Sequence, residues 1–187
     1  LLYQRQDRSV VEPLRRLARE SSFAVARMTA MYSLRGLGAL DESTILRAMD
    51  DRAVQVRVHA IRLAEDRLAS SKALQGKLIA LADDPELLVR YQVAFSLGEV
   101  PRLNQSRSAA LARIVTGDGN DPWIRLAVLS SLHVGAGDLF QRLAADEDFR
   151  GTAHGRQFLL ALARQVGLSS RGSELSAVVE RLDQWPS

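Results

Sequence analysis

The chain contains no cysteine among its 187 residues. Disulfides, thiolate zinc sites and covalent haem attachment within it are therefore excluded, and its redox compartment stays open. Aromatic residues make up only 5% of the chain, and lysine occurs twice, at Lys72 and Lys77. Almost all of the positive charge is arginine. The net charge is +3, from 25 basic and 22 acidic groups, and no segment forms a basic tail or block. Long-range attraction to a polyanion is not built into the composition. No apolar run reaches the length of about 18 residues that a membrane-spanning helix needs. The chain opens at Leu1-Leu2-Tyr3, with neither Met nor a signal-like start. That start reads as a piece of a longer protein whose targeting signal is not in view.

What is present is apolar and repetitive. Apolar residues account for 47%, enough for a dry core. Four times an apolar residue is followed by Arg, with further apolar residues three, four and seven positions on. The copies are Ala26-Arg27 with Ala30, Met31 and Leu34; Val56-Arg57 with Ala60, Ile61 and Ala64; Val89-Arg90 with Val93, Ala94 and Leu97; and Ile124-Arg125 with Val128, Leu129 and Leu132. The arginines lie 30, 33 and 35 residues apart. Spacing at three, four and seven is one face of a helix. A period of this size means stacked helical units rather than one globular core.

Each Arg-bearing helix follows a shorter amphipathic one. The periodicity predicts helices over residues 10–20 and 24–37, 43–49 and 53–68, 71–82 and 85–100, and 105–115 and 122–134. A degenerate fifth pair lacking the Arg follows at 137–145 and 154–166, then a last helix at 173–184. Ser9 is the expected cap of the first helix, with Pro13 in its first turn. Asp41 or Ser43 caps the third. Asp84-Pro85 reads as a capping Asp with Pro at the first helical position. Pro101 is expected to end its helix. The run Thr116-Gly117-Asp118-Gly119-Asn120-Asp121 is the longest turn-rich stretch and the expected mobile loop. No β pattern appears. The reading is all-α: an α-solenoid of about five helix pairs plus a C-terminal helix, one domain over residues 1–187.

The pattern resembles HEAT repeats, in particular the short HEAT-like type named after phycobilisome lyases. Asp51 and Asp84 stand six residues before Arg57 and Arg90, Val56 and Val89 fill the β-branched slot, and Pro13 lies fourteen before Arg27. Ser21 replaces the Asp in the first unit, and the fourth shifts its Asp to Asp121. The resemblance covers roughly residues 9–168. It implies that Arg27, Arg57, Arg90 and Arg125, with Asp51 and Asp84, form a structural ladder in which each Arg bonds a carboxylate at an interhelix turn. A narrower likeness is carried by the opening residues 1–7 and by Leu81-Ala82-Asp83-Asp84-Pro85, Val89-Arg90-Tyr91-Gln92 and Leu97-Gly98-Glu99. These resemble large secreted bacterial proteins that join a dehydrogenase-like propeller, a HEAT segment and a c-type haem domain. That likeness implies a non-catalytic middle segment and a periplasmic or secreted location; without it the cytoplasm is the expectation.

Chemistry-bearing residues are sparse. His59, His133 and His154 have no metal-binding spacing, so no metal and no cofactor is expected. Asp50-Asp51, Asp83-Asp84 and Asp146-Glu147-Asp148 lie at helix ends, where acids cap and complement the dipole. Asp118, Asn120 and Asp121 around Gly119 share part of a calcium loop but lack its distal Glu. Gly117 and Gly119 have no preceding strand to make a nucleotide loop. Neither Ser130-Ser131 nor Ser169-Ser170 is accompanied by a His and an Asp arranged for nucleophilic catalysis. The resemblance to HEAT repeats implies that the second helix of each pair lines a concave face. There, positions two and five after each Arg point outward: Thr29 and Tyr32, His59 and Arg62, Gln92 and Phe95, Ala127 and Ser130. The leading expectation is a non-enzymatic interaction scaffold that presents Tyr32, His59, Arg62, Gln92 and Phe95 to a protein or neighbouring domain. A nucleic-acid backbone binder using a contiguous Arg face is the alternative. An enzyme resembling bilin lyases is a third, for which the sequence offers no convergent polar groups.

Overall fold

The computed structural model describes residues 7–100, 105–169 and 172–183. All regular structure among them is helical. Twelve α-helices follow one another: α1 (Val11–Glu20), α2 (Ala24–Gly36), α3 (Glu42–Ala48), α4 (Val54–Leu68), α5 (Lys72–Ala80), α6 (Leu87–Ser96), α7 (Gln105–Asp118), α8 (Pro122–Ser130), α9 (Ala136–Ala145), α10 (Glu147–Gly151), α11 (Ala153–Ser169) and α12 (Gly172–Asp183). Single 3₁₀ turns cover Arg8–Val10, Leu81–Asp83 and Leu97–Glu99. No helix is long and apolar enough to cross a membrane among the described residues.

The chain divides into two compact units, the first running to Leu78 and the second starting at Ile79. In the first unit α1 packs on α2 and α3 on α4. First helix also meets first helix, α1 with α3, and second meets second, α2 with α4. Leu34, Ile45, Ile61 and Leu68 are fully buried there. In the second unit α6 packs on α8, α7 on α8 and α9, and α9 on α11 and α12. Its buried side chains include Val93, Leu111, Val128, Phe140, Phe158 and Leu162. Alanines at the core positions, Ala30, Ala60 and Ala94, are also fully buried, and their small size lets helices approach closely.

Local signals explain most boundaries. Gly38 adopts φ +62°. Its N–H donates to Arg35 O at 2.9 Å and the next N–H, of Ala39, donates to Leu34 O at 2.8 Å. This Schellman arrangement ends α2. Asp41 caps α3 by accepting from Thr44 N at 2.8 Å. Asp121 caps α8, accepting from Trp123 N at 2.7 Å, with Pro122 at the first helical position.

Three expectations need correction. The first cap is Asp7, which accepts from Ser9 N, so Ser9 lies inside a 3₁₀ turn instead of capping. Asp84 does not open a helix at Pro85. Its Oδ1 accepts from Glu86 N at 2.9 Å, and α6 starts only at Leu87, so Asp84-Pro85 forms the bend before the helix. The turn-rich run after Val115 is largely helical, since α7 continues through Thr116 and Gly117 to Asp118. The short α10 is an element that periodicity did not indicate. The opening residues 1–6, Pro101 and Gln184 lie outside the described residues.

Candidate functional site

The ladder arginines make two distinct kinds of contact. Each donates Nη1 to the carbonyl six residues earlier, in the turn that leads into its own helix: Arg27 to Ser21 O at 2.6 Å, Arg57 to Asp51 O at 2.8 Å, Arg90 to Asp84 O at 2.6 Å and Arg125 to Gly119 O at 2.6 Å. These carbonyls precede the helix and have no intrahelical donor, so a guanidinium at the fourth helical position satisfies them.

The second contact joins one pair to the next. Arg27 donates Nε and Nη2 to the two carboxylate oxygens of Asp51, both at 2.6 Å. Arg90 does the same to Asp118, at 2.6 and 2.7 Å. Such bidentate, charge-assisted pairs are the strong class of ion pair. Asp51 also accepts from Ala53 N at 2.8 Å. Burial pushes the Asp51 carboxyl up, but the bonds from Arg27 and Ala53 outweigh it, and its pKa lies below the ordinary value. The hydrogen bond to Asp51, opposed by burial, holds the Arg27 pKa above its own. The fourth unit has Gly119 where the repeat places its Asp. The carboxylate comes instead from Asp118, one residue earlier, while Asp121 is committed to capping. This accounts for the extra helical turn of α7 and removes Asp118 from any calcium loop.

The fifth pair does carry its arginine. Arg156, 31 residues after Arg125, donates Nη1 to Gly151 O at 2.7 Å and Arg150 O at 3.4 Å. These are its fifth and sixth preceding carbonyls, as in Arg90 and Arg125. The residue before it is Gly155 rather than an apolar one, which hid the pattern. A Cβ at Gly155 would lie 1.9 Å from Phe149 O, so the close approach of α10 requires glycine there. The spacing from Arg125, with Leu159, Leu160 and Ala163 at three, four and seven, was the available signal.

The outward-facing residues are distributed differently from expectation. Tyr32 on α2 and His59 on α4 meet in the first unit: Tyr32 Oη lies 2.8 Å from His59 Nδ1, and the rings stand edge to face with centroids 5.5 Å apart. Burial, with a smaller contribution from the Arg62 charge, lowers the His59 pKa. The neutral ring, with Nδ1 unprotonated, accepts a hydrogen bond from the tyrosine hydroxyl. Arg62 and Thr29 are exposed on the same two helices. In the second unit Phe95 is exposed and packs edge to face on Tyr91, at 5.0 Å. Gln92 does not face outward. It is only 6% exposed and donates Nε2 to Ser96 Oγ at 3.1 Å. Ala127, at the equivalent place in α8, is buried too. In the second unit the position two after the Arg has rotated into the core.

In the second unit the exposed stripe instead follows positions two before, one after and five after the Arg, which share a helix face; on α4 the middle of these positions, Val58, is buried. On α6 these are Leu88, Tyr91 and Phe95; on α8 they are Trp123, Leu126 and Ser130. Leu88, Trp123 and Leu126 are 51%, 63% and 52% exposed. Val25 occupies the first of these positions on α2 and is likewise exposed, as is Phe23 at its cap. Large apolar groups placed this openly, at equivalent positions on adjacent helices, are what a partner-binding patch needs.

Clefts are open and shallow. One of about 660 Å³ lies along Val10, Leu14, Leu17 and Phe23 in the first unit, and two of about 510 Å³ run beside Arg142 in the second. No group of three or more His, Asp or Glu could hold a metal among the described residues. His133 is exposed, and His154 stacks edge to face on Phe149. Arg107, which the periodicity did not single out, is buried and donates Nη2 to Ser131 O at 2.5 Å. No family model matches the chain, and no curated protein matches it.

Proposed function

We propose that the chain is a HEAT-like solenoid segment that serves as a non-enzymatic scaffold for contacts with a protein or a neighbouring domain. The observation that carries this reading is the stripe of exposed large apolar side chains on α6 and α8, at equivalent distances from Arg90 and Arg125. Tyr32 with His59 and Arg62 form the contact surface of the first unit, and Phe95 with Leu88, Trp123 and Leu126 that of the second. Gln92 belongs to the core and leaves the set. Exposed aromatics on a rigid helical frame lose little entropy on binding and are the residue types that dominate interface energetics. The nucleic-acid reading has weaker support, because the guanidinium forks of Arg27 and Arg90 are occupied by carboxylates instead of lining a cationic face.

The test uses short random peptides selected for binding to the immobilised chain. Tyr32→Ala and Phe95→Ala are expected to raise the Kd of peptides from the first and second units by about tenfold or more. Native melting of both variants with unchanged affinity for every selected peptide would overturn the assignment.

A further inference from the structure

The chain as a whole is cationic, with a net charge of +3, but the stretches that carry its exposed apolar stripe are not. Residues 84–100 and 118–134 hold α6, α8 and their bounding turns. They contain five acidic side chains, Asp84, Glu86, Glu99, Asp118 and Asp121, against two basic ones, Arg90 and Arg125. Three of the acids are already engaged or buried. Asp118 grips Arg90, Asp121 caps α8, and Asp84 is buried. Arg90 and Arg125 are half-buried and donate to the turns before their own helices. The charged side chains left exposed in these stretches are Glu86 and Glu99. Glu86 stands at the N-cap of α6 without a side-chain cap bond, and Glu99 ends the 3₁₀ turn that follows the helix. No ion pair among the described residues holds either of them. Between the two along α6 lies an apolar surface. Leu88, Tyr91 and Phe95 stand three and four residues apart, and the rings of Tyr91 and Phe95 meet edge to face at 5.0 Å. The neighbouring α8, which packs on α6, adds the exposed Trp123 and Leu126.

We infer, resting on the scaffold reading, that this surface receives an amphipathic helix of a partner protein, with apolar residues three, four and seven apart and Lys or Arg at both ends. Spacing selects the helix. Side chains three and four residues apart on α6 and α8 form ridges, and the apolar row of another helix packs into the grooves between such ridges. Charge selects the ends. Glu86 and Glu99 lie about 20 Å apart along the axis, the length of roughly three to four helical turns. Two apolar turns with a basic residue beyond each end fit that interval. Opposite charges at the rim of an apolar contact steer the partner and fix its register. The same acidic surplus repels nucleic acid and anionic lipid from this face.

The probes are two synthetic helical peptides with the same Leu positions, one flanked by Lys and the other by Glu, titrated with the full chain by fluorescence anisotropy. The Lys-flanked peptide should bind about tenfold or more tighter at low salt, and the gap should close as added salt screens the rim charges. Glu86→Gln combined with Glu99→Gln removes two exposed carboxylates that make no ion pair among the described residues, so the fold should stay intact while the gap shrinks to about threefold or less. Phe95→Ala and Leu126→Ala should weaken both peptides alike. Equal affinity for the two peptides would overturn the inference, as would a gap that survives the double Glu variant. Binding of the Lys-flanked peptide that ignores both Phe95 and Leu126 would overturn it too. Randomly selected peptides that depend on Phe95 yet carry no basic residue would overturn this partner chemistry and leave the scaffold reading standing. Displacement of the Lys-flanked peptide by a single-stranded oligonucleotide, in a Phe95-dependent way, would overturn the helix in favour of nucleic acid.

Discussion

At the scale of the residue, one guanidinium does the work of a turn cap and of a clamp between helix pairs. Arg27 and Asp51 are both largely buried, with side chains 6% and 12% exposed. Removing one partner leaves an uncompensated charge, which costs about 3 kcal/mol or more. Asp51→Asn is therefore expected to lower the unfolding free energy by about 3 kcal/mol at neutral pH, measured by urea denaturation. The pH dependence follows from the lowered carboxyl pKa of Asp51 and of Asp41. At Asp41 burial is outweighed by bonds from Ser43 and Thr44 and by the Arg15 charge. A carboxylate depressed in the folded state contributes fully above the ordinary carboxyl pKa. That contribution fades as pH falls through the folded value, where the unfolded chain has already taken up its proton. Wild-type stability should fall steeply towards about pH 3, while Asp51→Asn falls less over the same interval. Equal pH slopes for the two proteins would contradict this account of the pair.

Elements show where sequence reading works and where packing overrides it. The three, four and seven spacing located every long helix except for its ends, because that spacing reports a buried face directly. The recurrence of Arg27, Arg57, Arg90 and Arg125 was legible for the same reason, and each donates to the carbonyl six residues earlier. Two things were not. Thr116-Gly117-Asp118 has loop composition, yet it is helical and ends on the aspartate that grips Arg90, a tertiary gain that local propensity does not include. Arg156 was invisible because Gly155 precedes it, and Gly155 is explained only by the carbonyl of Phe149 in α10. Gly155→Ala should consequently disturb the α10–α11 junction. A Cβ within 1.9 Å of a backbone oxygen forces the two helices apart. A loss of about 2 kcal/mol is expected in urea unfolding, in the range for overpacking a tight site. Gly76→Ala, where a Cβ meets nothing within 4 Å, should instead be neutral or mildly stabilising. The outward face was read only in part. Tyr32, His59, Arg62 and Phe95 do lie at accessible or half-accessible places, but Gln92 and Ala127 turn inward. A rotation of the second-unit helices by part of a turn cannot be read from positions counted off a single Arg.

On the scale of the whole molecule, the regular structure of the described residues is all helical. Its two compact units use the same arginine contacts inside, and exposed large apolar side chains lie on α2 in the first and on α6 and α8 in the second. The central proposal is a division of labour: arginine forks join consecutive pairs, as Arg27 with Asp51 and Arg90 with Asp118, and exposed side chains of the second helices, among them Tyr32, Leu88, Phe95, Trp123 and Leu126, meet a partner. Hydrogen exchange of the chain with and without a selected peptide tests it most directly. The account predicts new protection concentrated in α2 and α4, or in α6 and α8, with α1, α3, α7 and α9 unchanged. Protection falling mainly on those first helices, with the second helices exchanging as before, would contradict it.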